Sequence, residues 1–214
     1  MQPPGVYRVA DDTSLLAGVM RQGGYAGGRR VLDVGCGSGA LAIEAARAGA
    51  ASVAAVDLSL RSVLATWLNA RVNRARVRVH HGDLFEPVRG ERFDLVLANP
   101  PYVPSRTAML PRHRIARCWD AGIDGRLLLD RVCAGSADVL ASGGTALIVH
   151  SEVCDERATV ACLHESGLRA RVVARTSVPF GPVMRARAAL LEDRGLLESG
   201  RREEEIVVVE ADRG

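Results

Sequence analysis

Two patterns of apolar and polar positions alternate along the chain: short runs rich in Val, Leu and Ala, and longer stretches in which Ala and Leu are mixed with Arg. The short runs have the length and the β-branched content of buried strands. They predict seven strands, at residues 30–34, 52–57, 76–80, 93–98, 145–150, 169–176 and 205–210. The longer stretches predict helices at residues 40–48, 60–72, 125–140, 155–166 and 184–192, after a helical lead-in that precedes residue 30.

The order of these elements predicts the fold. Alternation of strand and helix is typical of an α/β protein, in which right-handed crossovers build a parallel sheet that is covered on both faces. We therefore expect a doubly wound, Rossmann-like, mostly parallel seven-stranded sheet, closed by an antiparallel C-terminal strand pair. Ligands bind such a sheet beyond the carboxyl ends of its strands.

The length of 214 residues and the hydrophobic content of 48% suit one domain with one aliphatic core. We expect a single domain over residues 1–214. It would consist of a lead-in (1–29), a ligand-binding and catalytic core (30–152), and a C-terminal helix with the closing strands (153–214).

Charge, cysteines and hydropathy exclude several classes of protein. The net charge of +3 is too small to indicate a polyanionic partner by itself. The five cysteines form no C-x-x-C pair and the five histidines have no ligand spacing, so we expect reduced thiols and no metal site. There is no apolar run of membrane-spanning length and no signal-peptide core near the N-terminus, which predicts a cytoplasmic protein without a membrane partner.

The first predicted strand runs into Gly35-Cys36-Gly37-Ser38-Gly39. A glycine-rich turn between a buried strand and a helix brings the backbone close to a nucleotide-type ligand. The G-x-G-x-G spacing differs from the G-x-G-x-x-G pattern that seats a pyrophosphate on a helix N-terminus. Because S-adenosyl-L-methionine (SAM) has no phosphate and needs only the close approach, the spacing favours SAM over a dinucleotide as the cofactor of these glycines.

Acidic residues stand at the ends of three successive predicted strands, at Asp33, Asp57 and Asp83. An acid at the end of the second strand, where Asp57 lies, can accept hydrogen bonds from both ribose hydroxyls. A carboxylate at Asp83 can accept a hydrogen bond from an adenine amino group, and Leu84 and Phe85 can pack on the ring. Together with the glycines, these acids indicate a SAM site.

The fourth predicted strand runs directly into Asn99-Pro100-Pro101-Tyr102. The prolines end the strand and restrict the backbone, which holds the Asn99 side chain and the Pro100 carbonyl with little freedom. A planar amide or exocyclic amine is a poor nucleophile because its lone pair is delocalised. Two fixed acceptors can bind its two N–H groups and orient the nitrogen, while Tyr102 stacks on the planar group. The tetrapeptide therefore predicts methylation of a planar NH₂ group by Asn99, Pro100 and Tyr102.

From residue 31 to residue 102 the chain resembles class I methyltransferases of the amino-methylating kind. Two further segments are similar to signatures of HemK-type protein glutamine-N5 methyltransferases. Residues 7–16, YRVADDTSLL, resemble Y-x-P-A-E-D-T-x-L-L, and residues 119–126, WDAGIDGR, resemble W-x-G-G-x-D/N-G-R. The chain departs from these signatures at Val9, Asp11, Ala121 and Ile123.

The similarity is to the short branch of that family, which lacks an N-terminal helical domain and acts on the glutamine of a Gly-Gly-Gln loop in translation release factors. The resemblance implies SAM contacts from Thr13, Asp33, Gly35, Asp57, Asp83, Leu84 and Asn99. It implies that Asn99, Pro100 and Tyr102 handle the glutamine amide. It also implies a small zinc-ribbon activator subunit, which some short relatives need.

Two alternatives remain open on the sequence. Adenine N6 and guanine N2 present the same planar NH₂ group, so a nucleic-acid amino-methyltransferase, acting on RNA rather than DNA, also fits the motif. Two basic groups support it: Arg71, Arg74, Arg76 and Arg78, and then Arg106, Arg112, His113, Arg114 and Arg117. The other alternative is a catalytically silent SAM-fold binding module, against which the intact Asn99 and the three acids argue.

Overall fold

The computed structural model of the chain describes residues 10–107 and 119–214. Its helices are α1 (Asp11–Gln22), α2 (Ala40–Arg47), α3 (Leu60–Val72), α4 (Leu127–Val139), α5 (Glu156–Glu165) and α6 (Pro182–Asp193). Its strands are β1 (Arg30–Val34), β2 (Ser52–Asp57), β3 (Arg78–His81), β4 (Phe93–Ala98), β5 (Leu140–Ser151), β6 (Arg169–Pro179) and β7 (Glu203–Asp212). Each helix and strand that the sequence predicts is present.

All seven strands form one sheet in the order β3-β2-β1-β4-β5-β7-β6. Strands β1 to β5 pair in parallel, whereas β7 runs antiparallel to both β5 and β6. The predicted doubly wound, mostly parallel sheet with an antiparallel C-terminal pair is thereby confirmed.

The strand order reverses between β1 and β4, which lie side by side at the centre of the sheet. Val34 at the end of β1 is in register with Ala98 at the end of β4. Gly35 and Asn99, each one residue further along, therefore leave the sheet next to each other. Such a switch point is where open α/β sheets bind their ligands.

Four strands differ from their predicted bounds. β6 (Arg169–Pro179) and β7 (Glu203–Asp212) are longer than the predicted 169–176 and 205–210. β3 begins at Arg78 rather than at residue 76. β5 begins at Leu140, directly after α4, and its pairing with β4 shifts register between Phe93 and Leu95. Gly144 lies at this irregularity, where a Cβ atom would stand 3.0 Å from the Phe93 carbonyl oxygen. The kink thus depends on a close backbone approach that periodicity of side chains does not reveal.

Alternate residues of the central strands face two layers of helices. Leu32 faces the layer of α4 and α5 and packs in one cluster with the fully buried Leu129. Its neighbour Val31 faces the layer of α1 and α2, in a cluster that contains Leu16 and Met20. Both α1 side chains are fully buried. They anchor α1 on the sheet and bring its first turn to the ligand edge.

Candidate active site

The glycine loop after β1 is built from left-handed backbone. Gly35, Gly37 and Gly39 have φ values of 72°, 56° and 81°, a region that residues with a Cβ rarely adopt. The N–H groups of Gly35 and Cys36 both donate to the Val56 carbonyl, at 2.9 and 3.0 Å. The loop is therefore tied to the end of β2, and it turns sharply at the switch point.

Helix α3 supports this loop through two polar side chains. The Thr66 hydroxyl donates to the Gly37 carbonyl (3.1 Å), and Asn69 Nδ2 donates to the Ser38 carbonyl (2.9 Å). A Cβ on Gly39 would stand 2.7 Å from Thr66 Cγ2, so glycine is also required for packing there. Neither side chain was predicted as a site residue. Their only signal in the sequence is that they are two polar residues three positions apart in a predicted helix.

The first two predicted acids lie together beneath and beside the loop. Asp33 is 1% exposed, and its Oδ2 accepts a hydrogen bond from the Ala42 N–H at 3.0 Å. Burial, together with the nearby Asp57 carboxylate, raises the pKa of Asp33 to about 7. Asp57 accepts hydrogen bonds from the N–H groups of Gly37 (2.9 Å) and Ser59 (2.8 Å). These bonds orient its carboxylate over the loop.

The third acid has a partner that the sequence did not indicate. Asp83 lies beyond β3, as expected, but its Oδ2 accepts a hydrogen bond from Arg131 of α4 at 2.7 Å. Leu84 follows in left-handed backbone with φ 45°. Phe85 packs so closely on α4 that a Cβ on Gly135 would stand 2.6 Å from its ring. A ligand at Asp83 would therefore share this carboxylate with Arg131.

The Asn99 side chain is oriented by α1. Asn99 Nδ2 donates to the Thr13 hydroxyl at 3.0 Å, and that hydroxyl lies 3.2 Å from Asp12 Oδ1. Because Thr13 donates its one proton to the Asp12 carboxylate, it can only accept from Asn99. Asn99 must then present its NH₂ to Thr13 and keep its Oδ1 as an acceptor. Thr13, a predicted SAM contact, thus lies against the predicted catalytic Asn99.

The same carboxylate holds Tyr102. The Tyr102 hydroxyl donates to Asp12 Oδ2 at 2.9 Å, and Asp12 is only 3% exposed. Asp12 therefore orients both side chains of the Asn-Pro-Pro-Tyr turn. Asp12 was not predicted as a site residue, although it lies next to Thr13 inside the signature segment and in the first turn of α1.

The second signature segment folds back on residues 99–102, the predicted catalytic turn. Val103 pairs with Asp120 in a parallel bridge, through hydrogen bonds to Trp119 and Ala121. Gly125 has φ 79°, and a Cβ there would stand 2.3 Å from the Tyr102 carbonyl oxygen. The glycine is required because the backbone of the catalytic turn passes directly over it.

Three arginines fasten this segment to the rest of the chain. Arg126 is 9% exposed and donates to the carbonyls of Cys154 and Asp155 beyond β5. Arg187 of α6 bonds Asp120 and the Pro104 carbonyl, and Arg194 donates to the carbonyls of Ser105 and Ile123. The segment that resembles W-x-G-G-x-D/N-G-R thus serves as a clamp on the catalytic turn.

Parts of the predicted site lie outside the described residues. These are Tyr7 to Val9 of the first signature, and Arg112, His113, Arg114 and Arg117 of the second basic group. Over residues 10–107 and 119–214, no helix is long and apolar enough to span a membrane. The same two ranges contain no group of three His, Cys, Asp or Glu side chains that could hold a metal ion.

The arrangement fits SAM on two observations. A Cβ on Gly35 would meet no atom within 4 Å, so open space lies over the loop. The buried Asp33 Oδ1 has no hydrogen-bond partner in the described part of the chain. Buried polar atoms are normally satisfied, and the amino group of SAM is a donor of the kind that this oxygen lacks.

Comparisons with known proteins give a family and a set of relatives. Residues 2–114 match the family described as methyltransferase small domain. A Methanocaldococcus jannaschii protein, provisionally named a protein N5-glutamine methyltransferase, is 33% identical over 181 residues, or 85% of this chain and 90% of that protein. A release factor glutamine methyltransferase of Gloeobacter violaceus is 38% identical over 125 residues, or 55% of this chain. The match covers 44% of that longer enzyme.

Solved structures share the fold. The E. cuniculi Mtq2–Trm112 complex, described as responsible for methylation of the eRF1 translation termination factor, has a TM-score of 0.67 at 20% identity, over 98% of this chain and 99% of that chain. The T. thermophilus 16S rRNA N2 G1207 methyltransferase, in complex with AdoMet and guanosine, has a TM-score of 0.65 at 23% identity, over 100% of this chain and 46% of that chain. At these identities the likeness shows a class I methyltransferase fold.

The raised pKa of Asp33 predicts how stability depends on pH. The pKa of Asp33 is about 7 in the folded chain, whereas an exposed aspartate has a pKa of 3.8. The folded state therefore binds more protons between those values, and the stability that this proton contributes is lost as pH rises through 7. We expect Asp33→Asn to gain stability over wild type in urea unfolding at pH 8, and to gain less at pH 5.

Asp94→Asn is the matched control, because the ion pair with Arg30 lowers the pKa of Asp94. Its stabilising contribution is already present above the unfolded pKa, so its effect should be the same at pH 5 and pH 8. An Asp33→Asn effect that does not change between these pH values would contradict the assignment.

Proposed function

The chain belongs to the methyltransferase small domain family and is a SAM-dependent methyltransferase, and from this premise we propose that it methylates the side-chain amide nitrogen of a protein glutamine. The observation that carries the proposal is the fixed orientation of Asn99. Its NH₂ group is engaged by Thr13, and its Oδ1 stays an acceptor beside the switch point. An acceptor there can receive an N–H of a primary amide.

The reaction follows from this geometry. SAM, held by Gly35, Gly37, Gly39, Asp33 and Asp57, would supply an electrophilic methyl group. Asn99 Oδ1 and the Pro100 carbonyl accept the two N–H groups of the amide, and the Tyr102 ring packs on its plane. The nitrogen is thereby turned towards the methyl group. The N–C bond would form as the bond between the methyl group and the sulfur of SAM breaks, leaving S-adenosylhomocysteine. The nitrogen then becomes strongly acidic and would release a proton to water, so the step needs no strong base.

Glutamine is favoured over other planar amines by the relatives and by the clamp. The M. jannaschii relative and the release factor enzymes are named for glutamine methylation, and the first of them matches 85% of this chain. The segment that resembles the glutamine enzymes lies against the Tyr102 backbone. A Gly-Gly-Gln loop of a release factor is the acceptor that we propose.

The test is methyl transfer from labelled SAM to cell extract, followed by separate protease and nuclease digestion. We expect protease digestion to release the label and nuclease digestion to leave the label attached to its acceptor. Mass spectrometry should then place it on a glutamine. Asn99→Ala is expected to lower kcat at saturating SAM by about 10²–10³-fold, as for loss of one preorganised polar group, while calorimetry still detects SAM binding.

The same experiment decides the nucleic-acid alternative. Label that survives protease and is released by nuclease would overturn the glutamine proposal. In the first basic group, Arg71 stacks on the Trp67 ring at 4.8 Å and Arg78 pairs with Glu91 at 2.7 Å. Those two side chains are thus engaged within the chain itself.

We also propose that a small zinc-ribbon subunit covers one face of α3. Helix α3 exposes five large apolar side chains at helical spacing, each 39–64% exposed: Leu60, Leu64, Trp67, Leu68 and Val72. Contiguous exposed apolar surface of this kind is typical of protein interfaces. The E. cuniculi neighbour is described as a two-protein complex with Trm112.

If the partner covers α3, a charged side chain in the apolar stripe should prevent complex formation. A zinc-ribbon protein from the same genome should form a complex with the chain in size-exclusion chromatography and raise its methyltransferase activity. Leu64→Glu places a charge in the centre of the stripe and should abolish both effects. Arg157→Glu, a charge change at an exposed position of α5, is the control and should preserve them. Complex formation by Leu64→Glu would contradict the proposal.

A further inference from the structure

Glu204 lies at the edge of the active site, on a strand that is distant in sequence. It is the second residue of β7, and β7 is antiparallel to β5 with Ile206 in register with Ser151, the last residue of β5. The start of β7 therefore lies at the carboxyl ends of the parallel strands. Ile206 and Val208 belong to the cluster under α1, and strand periodicity places Glu204 on that same face.

The surroundings of Glu204 agree with this placement. Burial is the main cause that raises the pKa of Glu204, and the nearby Asp12 and Glu152 carboxylates raise it further. A hydrogen bond with Ser151 and the charge of Arg201 lower it. Asp12 in turn holds the Tyr102 hydroxyl. Glu204 thus belongs to the group of side chains that surround the catalytic turn on its α1 side.

One oxygen of this carboxyl group is unsatisfied. Glu204 is 5% exposed, and its Oε2 has no hydrogen-bond partner within residues 10–107 and 119–214. A buried acceptor without a donor costs free energy in the unbound protein. Buried polar groups without a partner are commonly retained where a ligand satisfies them, and this one stands at the ligand edge of the sheet.

We propose that Glu204 is a specificity-determining residue, whose Oε2 accepts a hydrogen bond from a backbone N–H of the peptide that carries the methylated glutamine. This assignment rests on the proposed function. The target amide itself is received by Asn99 Oδ1 and the Pro100 carbonyl, so Glu204 serves the neighbouring part of the acceptor. Glycines next to the glutamine suit such a contact, because they let the peptide backbone approach closely.

The acidic side chains on the α1 side of the catalytic turn disfavour a nucleic acid as the methyl acceptor. Asp12 and Glu204 are both buried acidic side chains on the α1 side of the turn. A phosphodiester brought next to them would meet acceptors and negative charge, whereas a peptide backbone brings a donor. Glu204 would thereby help to separate a glutamine-bearing loop from a nucleobase that presents the same planar NH₂ group.

The test compares Glu204→Gln with wild type in methyl transfer from labelled SAM to a class I release factor that carries a Gly-Gly-Gln loop. The substitution keeps the size of the side chain but replaces an acceptor oxygen with a donor. Loss of a buried hydrogen bond should raise KM for the release factor by about tenfold. We expect kcat and the SAM Kd to change by less than about twofold.

Thermal unfolding separates recognition from a structural role. Removing an unsatisfied buried acid should leave Tm unchanged or raise it, whereas a side chain that holds the fold would lower Tm on substitution. Glu204→Asp, which keeps the acid but shortens it, should give an intermediate KM. Glu203→Gln makes the same chemical change at the neighbouring exposed residue and should behave as wild type.

The possible outcomes distinguish failure of the Glu204 assignment from failure of the proposed glutamine function. An unchanged KM in Glu204→Gln overturns this assignment alone, and so does a raised KM that comes with a lowered Tm. Absence of transfer to the release factor by wild type overturns the proposed glutamine function, and this assignment with it.

Discussion

Asp12 accepts hydrogen bonds from the Tyr102 hydroxyl and from Thr13, and through Thr13 it sets the orientation of Asn99. A buried carboxylate requires such donors, since leaving it unsatisfied costs more than an ordinary hydrogen bond contributes. The requirement acts in both directions. The donors keep the carboxylate buried, and the carboxylate keeps two side chains of the catalytic turn in one arrangement before any substrate arrives.

Placement of this carboxylate depends on the fold at two levels. Sheet order puts Gly35 and Asn99 side by side at the switch point, so the cofactor loop and the catalytic turn share one edge. Helix α1 then packs Leu16 and Met20 on the sheet, which carries Asp12 over that edge. On the other side of the turn, Gly125 and Arg126 hold its backbone. Catalytic side chains and catalytic backbone are therefore positioned from opposite sides.

Much of this arrangement could be predicted from the sequence, because it depends on local patterns. Strand runs, glycine spacing and the position of Asn99 after β4 are properties of contiguous residues. The topology rules for α/β sheets then predict at which edge of the sheet these residues meet. What could not be predicted depends on contacts between distant residues. Thr66 and Asn69 look like ordinary helix positions until their bonds to the glycine loop are seen.

The surroundings of Asp83 and Glu204 also depend on contacts between distant residues. Asp83 was predicted from its place after a strand, yet its pairing with Arg131 is set by how α4 crosses the sheet. Glu204 is the middle of three successive glutamates, and nothing in that run distinguishes it. Only the antiparallel return of β7 brings it to the ligand edge and buries it there.

Orientation of Asn99 by Asp12 and Thr13 is tested by measuring kcat for methyl transfer in Thr13→Val and Thr13→Ser. Val matches the shape of Thr but lacks the hydroxyl, whereas Ser keeps it. We predict that Thr13→Ser stays near wild type and that Thr13→Val loses about tenfold or more in kcat at saturating SAM. Full turnover by Thr13→Val would contradict this orientation.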